Sequence, residues 1–224
     1  MKSKKILIAV ICIIVLILII FFIKNNYNFS KKGNNISNKS ADEIKEYILN
    51  IDSYYAIAEI SIKSNKNENT YKLKQEYSKS ENIYIQEVVE PEYIEGVQFI
   101  YSNNNLKIEN TKLSLNKIYE NYNYVGSNEL SLSSFIEDYT ESENKKCYEE
   151  DGKVILEAEI KNNNIYTATK KLYINKNEGK IEKMEIIDKA QTGRIYILYN
   201  EIELNTAKEE EIVAFSIKPI DENI

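Results

Sequence analysis

The chain contains no histidine. That gap removes the Ser-His-Asp and Cys-His nucleophile systems and every zinc site that needs an imidazole. Its two cysteines, Cys12 and Cys147, lie far apart in an apolar run and a polar region, so neither an intramolecular disulfide nor a CxxC metal or redox motif is available. Cys147 reads as a small strand residue. Tryptophan is also absent, and 6 Gly and 2 Pro in 224 residues are too few for a low-complexity disordered chain. No glycine-rich phosphate loop and no metal-ligand spacing occurs. Carboxylate, lysine or tyrosine chemistry stays open, but the reading is of a protein that is not an enzyme and carries no cofactor.

Charge of one sign is missing from the N-terminal region. The first 32 residues carry Lys2, Lys4, Lys5, Lys24, Lys31 and Lys32 and no acid. Six removed from 29 basic residues leaves 23 against 35 acidic ones, so the remainder carries about −12. An acidic domain repels phosphate backbones, which excludes nucleic acid as the expected partner. A basic protein surface or a neutral ligand suits it better.

Residues 6–23 read ILIAVICIIVLILIIFFI, without a charge. At about 1.5 Å per residue they span roughly 27 Å as a helix, enough for a hydrocarbon core. Ile6, Leu7, Ile8, Ile13, Ile14, Leu16, Leu18, Phe21, Phe22 and Ile23 are the expected membrane-anchor residues. The run exceeds an ordinary signal h-region and lacks a small-x-small site after it, so retention is expected over cleavage. Lys2, Lys4 and Lys5 favour a cytoplasmic N-terminus. Ile11 before Cys12 is not what a lipoprotein signal places there. The expected organisation is an anchor over 1–24, a polar tether over 25–39 and one extracytoplasmic domain over 40–224, with the membrane as the anchor's partner.

Within that domain the hydrophobic period changes once. Ser40 and Glu43 form a capping box, and Ile44, Tyr47, Ile48 and Ile51 fall on one helical stripe, which predicts a helix over 41–50. Alternation then predicts strands over 54–62, 71–77, 83–89, 97–101 and 106–108, with Pro91, Gly96 and Asn103–Asn105 at their turns. Residues 113–126 read as irregular and 128–141 as a second helix. Further strands are expected over 154–160, 165–174, 181–187, 195–199 and 212–217, with turns at Asp151-Gly152 and Gly179. The fold class is α+β, mainly β: a strongly curved antiparallel sheet with short helices in its concavity, behind one transmembrane helix. No βαβ alternation is visible.

Three groups of residues could carry function. Glu87, Glu90, Glu92 and Glu95 cluster around Pro91; paired carboxylates can hydrolyse glycosides, but a solvated strand end explains them as well. Tyr119, Tyr122 and Tyr124 could form a partner surface, or pack on the sheet edge. Leu132, Phe135, Ile136 and Tyr139 make an apolar helix face that either plugs the sheet or lines a groove as a lid. Glu209–Glu211 reads as a solvated face.

The runs Tyr71-Lys-Leu-Lys-Gln-Glu-Tyr77 and Gln86-Glu-Val-Val-Glu-Pro91, with Gly96 and the Tyr101-Ser-Asn-Asn-Asn105 hairpin, resemble LolA-like proteins. Leu106-Lys-Ile-Glu-Asn110, Leu132-Ser-Ser-Phe135-Ile-Glu-Asp-Tyr139 and Tyr196-Ile-Leu-Tyr-Asn-Glu201 are more similar to clostridial GerS-related proteins of spore germination. The resemblance spans residues 40–219. It implies a LolA/LolB-like half-barrel and a non-catalytic partner or regulator of a cell-wall (cortex) amidase. Its alternative implication is a carrier or sensor of lipid or lipoprotein acyl chains. This chain departs from the GerS pattern in lacking a lipobox.

Overall fold

The computed structural model describes residues 39–205, apart from 65, 111, 123–129 and 162. The expected anchor, most of the tether, Tyr124, Glu209–Glu211 and the strand over 212–217 lie outside the described residues. Among the described residues no helix is long and apolar enough to cross a membrane.

The capping box forms as the sequence requires. The Ser40 hydroxyl accepts the Glu43 N–H and the Glu43 carboxylate accepts the Ser40 N–H, starting α1 (Ala41–Leu49). Period-two alternation then gives β1 (Ser53–Lys63), β2 (Glu68–Ser78), β3 (Ile83–Glu90), β4 (Gln98–Ser102), β5 (Asn105–Asn110) and β6 (Leu115–Tyr119). Helix α2 (Leu132–Glu141) follows, with Ser131 as its N-cap. The chain continues through β7 (Lys145–Glu150), β8 (Lys153–Glu159), β9 (Thr169–Asn175), β10 (Lys180–Ile187) and β11 (Gly193–Leu204).

These strands form one antiparallel sheet in the order β6-β5-β4-β3-β2-β1-β11-β10-β9-β8-β7. Two meanders run outward from a central β1–β11 pair, and α2 connects the far end of one with the far end of the other. Among the described residues the sheet therefore has two edges, β6 and β7, and is not closed. Register breaks between Ile57 and Ala58, Ile181 and Lys183, Ile186 and Ile187, and Lys72 and Leu73 mark bulges. Bulges bend strands and increase twist, which lets so wide a sheet curl over its helices.

Turn chemistry explains several connections. Asn103 and Asn104 have φ of 50° and 62°, the left-handed pair of a two-residue hairpin. Asp151 and Gly152 do the same between β7 and β8. At Gly96 φ is +77° and the Asn110 side chain lies 3.4 Å from where a Cβ would stand. Asn110, itself buried, donates to the Glu95 carbonyl and accepts the Leu113 N–H, tying two loops together.

One face of the sheet, here the inner face, carries the core. Ile44 and Ile48 of α1 and Leu132, Phe135 and Tyr139 of α2 join Val154, Leu156, Leu172, Ile174, Met184 and Ile197 in one buried cluster. Both helices lie over the β7–β8 side. The outer face is polar, with cross-strand pairs such as Lys146–Glu157 (3.2 Å) and Glu157–Lys171 (3.2 Å), and a Lys183–Glu185 pair (2.5 Å) along β10.

Among the described residues the eleven strands exceed the nine or ten that the alternation implies. The additions, β6 and β7, are the sheet edges, where both faces carry polar residues and the apolar alternation fades. Helix α2 starts at Leu132, because the Ser131 hydroxyl accepts the Ser134 N–H and fixes the first turn there. Strand β9 starts at Thr169, after a turn in which the Asn164 side chain accepts the Tyr166 and Thr167 N–H groups.

At the β10–β11 turn Asp188 is 2 % exposed and accepts the Thr192 N–H (2.8 Å) and Arg194 Nε (2.6 Å). The Thr192 N–H, foremost, holds its carboxyl below the usual aspartate range. A depressed folded-state pKa gives stability that is complete above the unfolded value of about 3.9 and is lost as pH falls through the folded one. Asp188→Asn should therefore flatten the acid limb of the stability curve below about pH 4, read as urea midpoints against pH. An unchanged limb would place the acid sensitivity elsewhere.

Candidate binding surface

Cross-strand register assembles a row of tyrosines that sequence spacing had scattered. Tyr54 pairs with Tyr77, Tyr77 with Tyr84, Tyr84 with Tyr101, Tyr101 with Leu106 and Leu106 with Tyr119. The row crosses six strands from β1 to the β6 edge, on the face that carries the core. Ring centroids lie 5.6 Å apart for Tyr54–Tyr77 and 5.8 Å for Tyr84–Tyr101. Tyr122 closes the outer end, 6.1 Å from Tyr101 and 6.3 Å from Tyr119. Tilted pairs at this spacing suit the aromatic quadrupole and add about 0.5–1.5 kcal/mol each beyond buried area.

Burial grades along the row. Tyr54 and Tyr84 are buried, Tyr77, Tyr101 and Tyr122 half-buried, and Tyr119 is 38 % exposed. A small cavity of about 80 Å³ opens beside it, floored by Tyr77, Tyr84, Tyr101 and Tyr122 and rimmed by Asn82, Asn103, Asn104 and Asn105. The next row inward is polar: Gln75 lies opposite Gln86, and its Nε2 donates to the Leu130 carbonyl (3.2 Å). The buried Gln75 Oε1 has no hydrogen-bond partner among the described residues. Aromatic floor, amide rim and graded exposure make this row the candidate binding surface.

Of the sequence candidates, Tyr119 and Tyr122 sit together at the open end of this row. Tyr54, Tyr77, Tyr84 and Tyr101 were missed. Their signal is hairpin arithmetic: about the tight turns at 79–82 and 103–104, positions 77 and 84, and 101 and 106, must face each other.

Leu132, Phe135 and Tyr139 are sealed in the core, while Ile136 is half-buried against it. A group not foreseen holds this helix down. Lys170, on the inner face of β9 with 1 % of its side chain exposed, places Nζ 2.6 Å from Asp138 Oδ2 and 2.7 Å from Ser134 Oγ. Asp138 Oδ1 also accepts the Lys161 N–H. The sequence clue was parity: Ala168, Lys170, Leu172 and Ile174 share one face, and a lysine on that face needs a counter-charge.

The acidic group does not converge. Glu87 accepts from Gln98, Glu90 faces Lys72 at 3.8 Å and Glu95 faces Lys112 at 3.5 Å. Among the described residues no cluster of three or more Cys, Asp or Glu could hold a metal ion. Cys147 packs beneath α1, its Sγ 3.9 Å from the Ala41 carbonyl, and burial pushes its thiol pKa up. It is a poor nucleophile.

A family model described as "Sporulation protein YdcC-like" matches residues 3–213. No curated protein sequence matches the chain. Among solved structures the chain is similar to a chain of the complex between the CwlD amidase and the GerS lipoprotein of Clostridioides difficile. That match has 28 % identity, covers 72 % of this chain and 92 % of the other, and has a TM-score of 0.48. It is also similar to the LolA superfamily protein NE2245 of Nitrosomonas europaea, at 14 % identity over 77 % and 96 % of the two chains with a TM-score of 0.41. The lipoprotein LppX of Mycobacterium tuberculosis shows 8 % identity over 82 % and 96 %, with a TM-score of 0.40.

Proposed function

The chain belongs to the family of YdcC-like sporulation proteins, and on that premise we propose that it is a membrane-anchored, non-catalytic partner of a cell-wall amidase. The observation that carries this reading is the tyrosine row ending in Tyr119 and Tyr122 at an open sheet edge. Tyrosine is enriched where proteins meet, because it brings a large contact area and a hydroxyl on a stiff side chain. The residue-level resemblance to GerS-related proteins supplies the partner class, and GerS itself is described in complex with an amidase.

A non-catalytic role is supported by the lack of histidine and by the dispersal of Glu87, Glu90 and Glu95 onto separate partners. Anchoring is supported by the charge-free run over 6–23. Lysines before the run favour an extracytoplasmic domain. The acyl-carrier alternative needs an apolar groove, and the apolar stripe of α2 is instead spent on the core.

The test uses the full chain in detergent and the purified amidase encoded by the same genome. Binding should be retained by the wild type and weakened at least about tenfold by Tyr119→Ser with Tyr122→Ser, as for loss of aromatic anchors. An amidase that binds neither protein, or both equally, overturns this reading. A co-purifying acyl chain in native mass spectra would favour the carrier.

A further inference from the structure

A second cavity, about 560 Å³, lies away from the tyrosine row, where β1 and β2 join and β11 begins. Ile62, Lys63, Ser64, Lys66, Tyr166 and Arg194 are among its lining residues. Arg194 is the chain's only arginine against 28 lysines. Its Nε is held by the buried Asp188, which in turn is fixed by the Thr192 N–H, so the guanidinium is set in place. Lys63 lies over the Tyr196 ring and 3.4 Å from Glu68. Above the cavity the β8–β9 loop exposes Ile165 and Tyr166, each 63 % accessible. The Lys189 N–H donates to the Ile165 carbonyl, so the backbone of this lysine borders the exposed loop.

We propose that this end of the sheet docks on an anionic membrane surface, with a phospholipid phosphate in the Lys63/Lys66/Arg194 cleft and Ile165 and Tyr166 at headgroup depth. Three lining cations, Lys63, Lys66 and Arg194, against two acids, Glu68 and Asp188, with Lys189 bordering the adjacent loop, make a positive spot in a domain that is otherwise acidic. Charge complementarity therefore selects an anionic occupant. Two adjacent exposed apolar side chains flanked by lysines have the composition of an interfacial contact, where tyrosine sits at headgroup level and basic residues meet lipid phosphates. Reach is sufficient. Fifteen residues span at most about 50 Å, more than the roughly 36 Å length of β1, so chain length puts either end of the sheet within reach of the bilayer. The docked end leaves the tyrosine row, at the opposite ends of β1 and β2, facing away from the lipid.

This inference rests on the anchored reading above, and the experiment separates the two. Because the chain lacks tryptophan, Tyr166→Trp gives a single emitter, with Tyr119→Trp as the distal control. Each full chain is reconstituted in vesicles of brominated phosphatidylcholine alone or of equal parts brominated phosphatidylcholine and brominated phosphatidylglycerol. Emission from position 166 should shift blue and be quenched only in the anionic vesicles, and position 119 should not respond. Lys66→Glu with Lys189→Glu should lower the docked fraction at least about tenfold, since each charge near such a surface changes partitioning several-fold. Equal emission from position 166 in both vesicles, or equal quenching at both positions, overturns the docking. So does the same shift on adding glycerol phosphate to the neutral vesicles, which would mark a soluble ligand. A chain that does not float with vesicles in high salt sinks the anchor and the docking together, whereas floating with no change in emission sinks the docking alone.

Discussion

Asp138→Ala should lower the unfolding free energy by about 3–5 kcal/mol, the usual cost of removing one partner from a buried ion pair. The Lys170 side chain is 1 % exposed and Asp138 is its counter-charge at 2.6 Å. With a urea m-value of about 2 kcal/mol per molar, the midpoint should fall by about 2 M. Replacing both partners tests the cause. Asp138→Leu with Lys170→Met removes both charges from the core and should recover most of the loss, since apolar replacements of buried pairs are often neutral or stabilising. A deficit of about 1 kcal/mol should persist, because the Lys161 N–H loses the Asp138 Oδ1 acceptor. If the single and double variants unfold at the same urea concentration, the pair is not what holds α2 to β9.

Phe135→Ala should cost a similar amount, about 3–5 kcal/mol, for a different reason. Phe135 is fully buried between α2 and the sheet, with its ring 5.8 Å from that of Tyr139. Deleting it removes apolar burial and leaves a cavity that β8, hydrogen-bonded on both sides, cannot collapse to fill. Ile136→Ala, one position along and only half-buried, should cost clearly less. Asp138 lies one turn from Phe135, so the two losses should not add. Equal costs at 135 and 136 would mean that the helix does not seat as described.

Both expectations concern an element that was legible only in part. The stripe Leu132, Phe135, Ile136 and Tyr139 announced a helix with one apolar side, and that side is buried. The stripe could not say whether the helix was fixed or mobile, because the device that pins it comes from β9. Lys170 follows Thr169 and precedes Lys171, so in sequence it looks like one more solvated lysine. Only the parity of Leu172 and Ile174 places it inside.

The meanders were legible because alternation is strong wherever a strand has one buried face, as in Tyr54, Ala56, Ala58 and Ile60. It failed at Leu115–Tyr119 and Lys145–Glu150, which bound the sheet. There Lys-Lys-Cys-Tyr-Glu-Glu carries no apolar period, although Asp151-Gly152 already signalled a hairpin. The tyrosine row was illegible for another reason. Its members sit on separate strands, and register is a property of pairs, set by turn length rather than by any one strand's pattern.

The arrangement divides labour. Helices α1 and α2 fill one half of the inner face, and the aromatic row runs across the other half to an open edge. Stability and the proposed binding thus draw on different residues. Substitutions at Tyr119 and Tyr122 should leave the core intact, whereas those at Asp138 and Phe135 should unfold the domain without altering the row directly.

Amide hydrogen exchange of the full chain, with and without the amidase, tests this division most directly. Protection on binding should appear in Gln98–Ser102, Asn105–Asn110 and Leu115–Tyr119, and the amides of Leu132–Glu141 should not change. Protection confined to α2, or faster exchange there once the partner is added, would show a moving lid rather than a fixed plug and would contradict the account.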